Sequence, residues 1–133
     1  MNGMSGLPKP NPIDPRRGEI WDVRFEPSVG AEQKKTRPAV VVSPPSIGKL
    51  PLRIVVPITE WKVHYERAPW FVPIPPLLLR EAALTKESGA DAFQVKSVSL
   101  ERFVRQLGRL GPELIQEISD AVALCVGFSI RRP

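Results

Sequence analysis

The stretch Thr36-Arg37-Pro38-Ala39-Val40-Val41-Val42-Ser43 decides the fold. Its apolar centre, Ala39 to Val42, is too short for a helix and rich in β-branched residues. Continuous rather than alternating apolarity marks a strand buried on both faces, which is a central strand. Pro38 opens the run, where a missing N–H costs a strand least. Pro44-Pro45-Ser46-Ile47-Gly48 breaks it.

A central strand needs neighbours, and the chain supplies them on both sides. Upstream, Trp21, Val23 and Phe25 alternate with Asp22 and Arg24, the period of a half-buried strand. Residues 26–36 between these strands are polar and contain Pro27 and Gly30; ordered loops of this length are often functional. Downstream, Leu52-Arg53-Ile54-Val55-Val56-Pro57-Ile58-Thr59 reads as the next strand, with Pro57 where no ladder hydrogen bond is needed. Residues 60–69 form a second polar loop with Trp61, His64 and Tyr65, and Trp70 to Ile74 is a short strand. Residues 75–91 read as irregular, with a helical turn within 77–84. Phe93, Val95 and Ser97 alternate with Gln94, Lys96 and Val98 in a further strand. Residues 99–110 fit either a helix or a strand beginning at Phe103. The last element is a clear helix: Pro112 at its first position, Glu113 in its first turn, Gly127 as its stop. Leu114, Ile115, Ile118, Ala121, Val122 and Cys125 share one face.

The 133 residues fit one domain able to bury its own core. Sixteen prolines, roughly twice the ordinary share, argue against a helical bundle and for a loop-rich β fold. The sequence therefore predicts a mainly β domain over residues 16–128, a small bent sheet capped by a C-terminal amphipathic helix. A disordered proline-rich leader over 1–15 and a basic tail over 129–133 are expected to flank it. No apolar run suits a membrane helix or a signal peptide, so no membrane role is expected.

With one cysteine and one histidine, a disulfide framework, a zinc site and most thiol chemistry lack their residues, and neither a metal nor a cofactor is expected. No phosphate-binding glycine loop or dinucleotide fingerprint is present. His64 reads as a solvated loop residue and Cys125 as an inert thiol on the helix's apolar face. The net charge of +5 permits a polyanionic partner without demanding one.

Residues 30–38 carry more information. Gly-Ala-Glu-Gln-Lys-Lys-Thr-Arg-Pro places a carboxylate, an amide and three cations directly before the apolar run. Charge runs are usually solvated faces. Arg37, however, sits at the mouth of a buried strand, and a guanidinium held there is a preorganised phosphate fork. Thr59 ends another apolar strand, so Arg37 and Thr59 converge if those strands are neighbours.

Arg17-Gly18-Glu19-Ile20-Trp21, Phe25-Glu26-Pro27, Val29-Gly30-Ala31-Glu32-Gln33 and Thr36 to Ser43 together resemble the opening of MazF/PemK-type toxins. The likeness continues through Val56-Pro57-Ile58-Thr59, Leu84 to Ser88, Gln94-Val95-Lys96-Ser97-Val98, Leu107-Gly108-Arg109-Leu110 and the last helix. The resemblance implies an SH3-like β-barrel with a C-terminal helix, a homodimer in the cytoplasm, and metal-independent cleavage of single-stranded RNA. It implies Arg37 and Thr59 as catalytic residues, with Glu32 accepting a proton or holding Arg37. Lys34, Lys35 and Lys96 are expected on phosphates, Gln33 and Gln94 on base edges, and Trp61, Tyr65 and Trp70 as stacking surfaces. Thr36 and Ser43 complete the expected RNA contacts. An antitoxin with an acidic tail is the implied partner. The chain departs from the family where Phe93 replaces an aspartate that usually precedes the glutamine. Two other readings share the fold: a CcdB-like gyrase poison, and a non-catalytic SH3-like binding module. Neither needs the Arg37 and Thr59 pair.

Overall fold

Strand β2 (Thr36–Val41) lies inside the sheet, flanked by β1 (Glu19–Arg24) and β3 (Leu52–Glu60), both antiparallel to it. The computed structural model describes residues 13–25, 36–47, 49–82, 84 and 86–128. β4 (Phe71–Ile74), β5 (Ser88–Asp91), β6 (Lys96–Ser99), β7 (Phe103–Arg109) and helix α1 (Pro112–Cys125) complete the described elements. The strand order is β4-β5-β3-β2-β1-β7, and β6 also pairs with β3. The result is the expected mainly β domain, a bent sheet with one C-terminal helix.

The apolar pattern explains the layering. Ala39, Val40 and Val41 are all fully buried, so β2 meets apolar groups on both faces. On one face Ile20, Val40, Val56 and Leu107 join Ile115, Ile118 and Ala121 of α1 in the main core. On the other, Trp21, Val23, Ala39, Val41, Val55, Val98 and Phe103 form a second cluster. Burying one such side chain contributes about 1.5–3 kcal/mol. Helix α1 stops where expected: Gly127 has a φ of 78°, and the Phe128 N–H closes back on the Ala123 carbonyl at 2.9 Å.

β1 is pinned by a buried carboxylate. Glu19 accepts from the Arg16 backbone N–H at 2.8 Å and from the Trp21 indole at 2.9 Å, and pairs with Arg109 of β7 at 2.9 Å. Ahead of it, Pro15 is buried, and its carbonyl accepts from Arg53 of β3 at 2.8 Å. Arg53 also holds Asp14 at 2.9 Å, and chiefly through that bond keeps its carboxyl below the ordinary value.

Two expectations change. Residues 75–91 are not all irregular: beyond a 3-10 stretch at Pro76–Ala82 they contain β5. Ser-Gly-Ala-Asp lacks any strand-favouring residue, and its small size has a packing reason: a Cβ on Gly89 would stand 2.7 Å from the Phe71 ring and 2.6 Å from the Val72 carbonyl. Phe93 and Gln94 also leave the strand proposed for them. They form a 3-10 turn, Ala92–Gln94, that separates β5 from β6 along the edge of β3. Phe93 points outward, and Val98 takes the buried position. Residues 103–109 resolve as strand.

Candidate active site

β3 serves three ladders, with β6 beside its first residues, Leu52 to Val55. Ala39↔Pro57, Val40↔Val56 and Val41↔Val55 tie it to β2; Ile58↔Ala90, Thr59↔Gly89 and Glu60↔Ser88 tie its last residues to β5. The β2 ladder ends at Pro57, and the β5 ladder begins at the next residue on the opposite edge of β3. Carried two residues past the last pair, the β2–β3 offset sets Arg37 level with Thr59. β1 continues the row through Val23↔Arg37. Gly89, Thr59, Arg37 and Val23 thus run across four strands at one level.

Alternation fixes the face of that row. Val23, Ala39, Val41 and Val55 all belong to the second cluster. Arg37 and Thr59 are even numbers of residues from Ala39 and Val55, so they point to the same side, away from α1. Lys96 pairs with Val55 and shares the face. Its Nζ lies 4.9 Å from the centroid of the Phe25 ring, a cation–π contact. Arg37 is exposed and makes no hydrogen bond or ion pair among the described residues, whereas Thr59 is half-buried. A guanidinium, a hydroxyl and an ammonium on one surface can receive a phosphate backbone.

One row further along β3 stands a residue that the sequence reading did not single out. Asp91 is the diagonal neighbour of Thr59 across the β3–β5 pair, and such neighbours lie about 7–8 Å apart between Cα atoms. It is 4% exposed. Its carboxylate accepts from the Tyr65 hydroxyl at 2.8 Å, the Gln94 amide at 2.9 Å and the Phe93 backbone N–H at 3.1 Å. The order Asp-Ala-Phe-Gln is the local signal, since an aspartate before a turn commonly accepts from the N–H two residues on. Tyr65, expected to stack on bases, is instead buried, with its ring 4.1 Å from Phe71. Burial and then the bond to Asp91 push its hydroxyl up to about 12.

The remaining expected residues are dispersed. Gln94 is exposed beside the row, held by Asp91. Trp61 follows β3, 38% exposed, its backbone N–H on the Glu87 carbonyl. Trp70 packs partly on the main core, 5.8 Å from the Phe93 ring. Thr36 is exposed beside Arg37. Ser43 does not join them. It follows β2 at the end away from Arg37, about 20 Å along the strand direction. There its hydroxyl accepts from the Ile54 N–H at 3.1 Å, and it lines a cavity of about 740 Å³. Glu32, Gln33, Lys34 and Lys35 lie outside the described residues. His64 is exposed against Tyr65, and burial raises the Cys125 thiol above its ordinary value, as an inert thiol requires. Among the described residues no group of His, Cys, Asp and Glu has the makings of a metal site, and no helix is long and apolar enough to cross a membrane.

Comparison with known proteins matches residues 16–126 to the family described as PemK-like, MazF-like toxin of type II toxin-antitoxin system. Endoribonuclease MazF9 of Mycobacterium tuberculosis is 33% identical over 118 residues, covering 82% of this chain and 93% of that protein. Endoribonuclease PemK of Escherichia coli is 45% identical over 48 residues, covering 35% of this chain and 36% of that protein. Among solved structures, MazF from Deinococcus radiodurans superposes with a TM-score of 0.64 at 25% identity, covering 86% of this chain and 97% of that one. A mycobacterial endoribonuclease solved with its cognate antitoxin shares the fold, with a TM-score of 0.65 at 17% identity, covering 89% of this chain and all of that one. These relatives do not favour the gyrase-poison and binding-module readings.

Proposed function

The chain belongs to the PemK-like, MazF-like toxins of type II toxin-antitoxin systems, and from that premise we propose that it is a sequence-specific endoribonuclease acting on single-stranded RNA. What supports the reading most is the β2–β3 register, whose last pair is Ala39↔Pro57 and which, carried two residues on, sets Arg37 level with Thr59.

The reaction needs no external nucleophile. The ribose 2′-oxygen attacks the adjacent phosphorus, the bond to the 5′-oxygen breaks, and a 2′,3′-cyclic phosphate and a 5′-hydroxyl result. One proton leaves the 2′-hydroxyl and one arrives on the 5′-oxygen, so the step balances without a metal. Negative charge grows on the phosphorane oxygens, and donors aimed there supply much of the rate. Arg37 has that role. A guanidinium offers a planar fork of charged donors and no basic site, so it stabilises charge and does not carry a proton. Thr59 donates to a phosphate oxygen or orients the 2′-hydroxyl. Glu32 accepts the proton or holds Arg37.

Lys34, Lys35 and Lys96 hold flanking phosphates. Gln33 and Gln94 read base edges, Trp61 offers a stacking face, and Thr36 contacts the strand beside Arg37. Ser43, remote from the row, meets RNA only well away from the cut. The partner is an antitoxin whose acidic tail competes for this surface, and the toxin works as a homodimer in the cytoplasm.

The test uses purified protein, free of antitoxin, on a long unstructured RNA in excess EDTA, with Arg37→Ala alongside. The reading expects cuts by the wild type alone, at one recurring short sequence and bearing 5′-hydroxyls. A folded wild type that cuts nothing, or a variant that cuts as well, overturns it.

A further inference from the structure

Asp91 orients an amide. Its carboxylate has only acceptor oxygens to offer, so Gln94 must turn its NH2 toward it and its Oε1 away. The carboxylate is itself immobilised: Oδ1 is held by the Phe93 N–H, Oδ2 by the Tyr65 hydroxyl, and the group is 4% exposed. A glutamine in solution presents its donor and acceptor in either order. Gln94 presents them in one.

That difference matters for reading RNA. On the Watson–Crick edge, adenine and cytosine show an exocyclic amine donor beside a ring-nitrogen acceptor. Guanine and uracil show a carbonyl acceptor beside a ring N–H donor, in the reverse order at the same positions. An amide free to flip accepts both classes, whereas a fixed one fits one class and leaves unpaired groups against the other. We infer that Asp91 is a positioning residue that locks Gln94 so that one position of the cleaved sequence distinguishes amino bases (A, C) from keto bases (G, U). The inference rests on the reading that Gln94 touches RNA. Asp91, being buried, touches none.

The structure specifies what Asp91→Asn does. The Phe93 N–H keeps the remaining Oδ1, so Nδ2 takes the place of Oδ2. A donor then faces Gln94, which turns its Oε1 inward and its NH2 outward. The Tyr65 hydroxyl accommodates the change because it accepts as readily as it donates. The variant should therefore invert the amide, not merely loosen it.

The experiment maps cleavage sites on one long RNA for wild type, Asp91→Asn, Gln94→Ala and Tyr65→Phe, each checked for a cooperative thermal transition. Asp91→Asn is expected to shift the preference at a single position by about tenfold or more toward the opposite base class, the size of one base-edge contact. Gln94→Ala is expected to lose selectivity at that same position. Tyr65→Phe, which takes a hydrogen bond from the carboxylate but leaves Gln94 its partner, should keep the motif despite lower stability. An unchanged motif in Asp91→Asn, with or without slower cleavage, overturns the proposal. So does Gln94→Ala with every position intact, a result that decides the matter even if Asp91→Asn fails to fold. A wild type that cleaves nothing overturns the nuclease reading itself, an outcome distinct from cleavage with an unmoved motif.

Discussion

Arg37 is exposed at the start of a strand whose last three residues are fully buried. Removing its side chain takes away no apolar core area and no hydrogen bond among the described residues, so Arg37→Ala should melt within a degree or two of wild type. Its cleavage rate should fall by at least about a hundredfold, the usual cost of one transition-state donor. Arg37→Lys keeps the charge but loses the planar fork, and should fall between the two. Single-turnover rates beside melting curves check both. Tyr65 makes a second residue-level test, because it is the only tyrosine in the chain. Exposed tyrosine ionises near 10.0, whereas the folded environment pushes Tyr65 up to about 12. The folded state holds that proton more tightly, so the stability this contributes is complete below pH 10 and drains away as pH rises to about 12. Tyrosinate absorbance should show the late midpoint, and the stability gap between wild type and Tyr65→Phe should close over the same range. Arg37 and Thr59 were legible in the sequence because each borders an apolar run. The cluster at Asp91 was not, since it draws Tyr65 from 26 positions away and only the fold joins them.

Among the elements, β5 taught most about what a sequence hides. Strand readings rely on β-branched and aromatic residues, and Ser-Gly-Ala-Asp has none because the Phe71 ring occupies the space that they would fill. Gly89→Ala drives a methyl group into that ring and into the Val72 carbonyl. The expected loss is about 1–3 kcal/mol in denaturant unfolding. Cleavage should weaken too, because Gly89 is the ladder partner of Thr59. The other elements follow their patterns closely: β2 through its apolar run, β1 through its alternation, α1 through its helical face, proline start and glycine stop. Phe93 and Gln94 fooled the period-two reading because three residues of 3-10 turn interrupt the long edge along β3.

At the scale of the whole molecule, the charge of +5 acts as a field as well as a set of contacts. RNA affinity should fall steeply with salt, with a slope of about 0.7 in log–log terms for each phosphate neutralised on a single strand. Lys96→Ala should lower that slope by about 0.7, and Lys34→Ala with Lys35→Ala by about twice as much. Titrations at several salt concentrations, using RNA carrying a 2′-deoxy group at the cut, measure this without cleavage. An unchanged slope in Lys96→Ala would remove it from the phosphate contacts.

The place of β3 between β2 and β5 has a bearing on time as well as on shape. One strand is stitched to β2 on one side, through Val55 to Pro57, and to β5 on the other, through Ile58 to Glu60. The two halves of the sheet therefore lack a seam along which one can open while the other stays shut. In hydrogen exchange, the amides of Val40 and Ala90, on the two strands that flank β3, should become labelled together and at the rate of global unfolding. The pairing that brings Arg37 level with Thr59 then lasts as long as the folded molecule does.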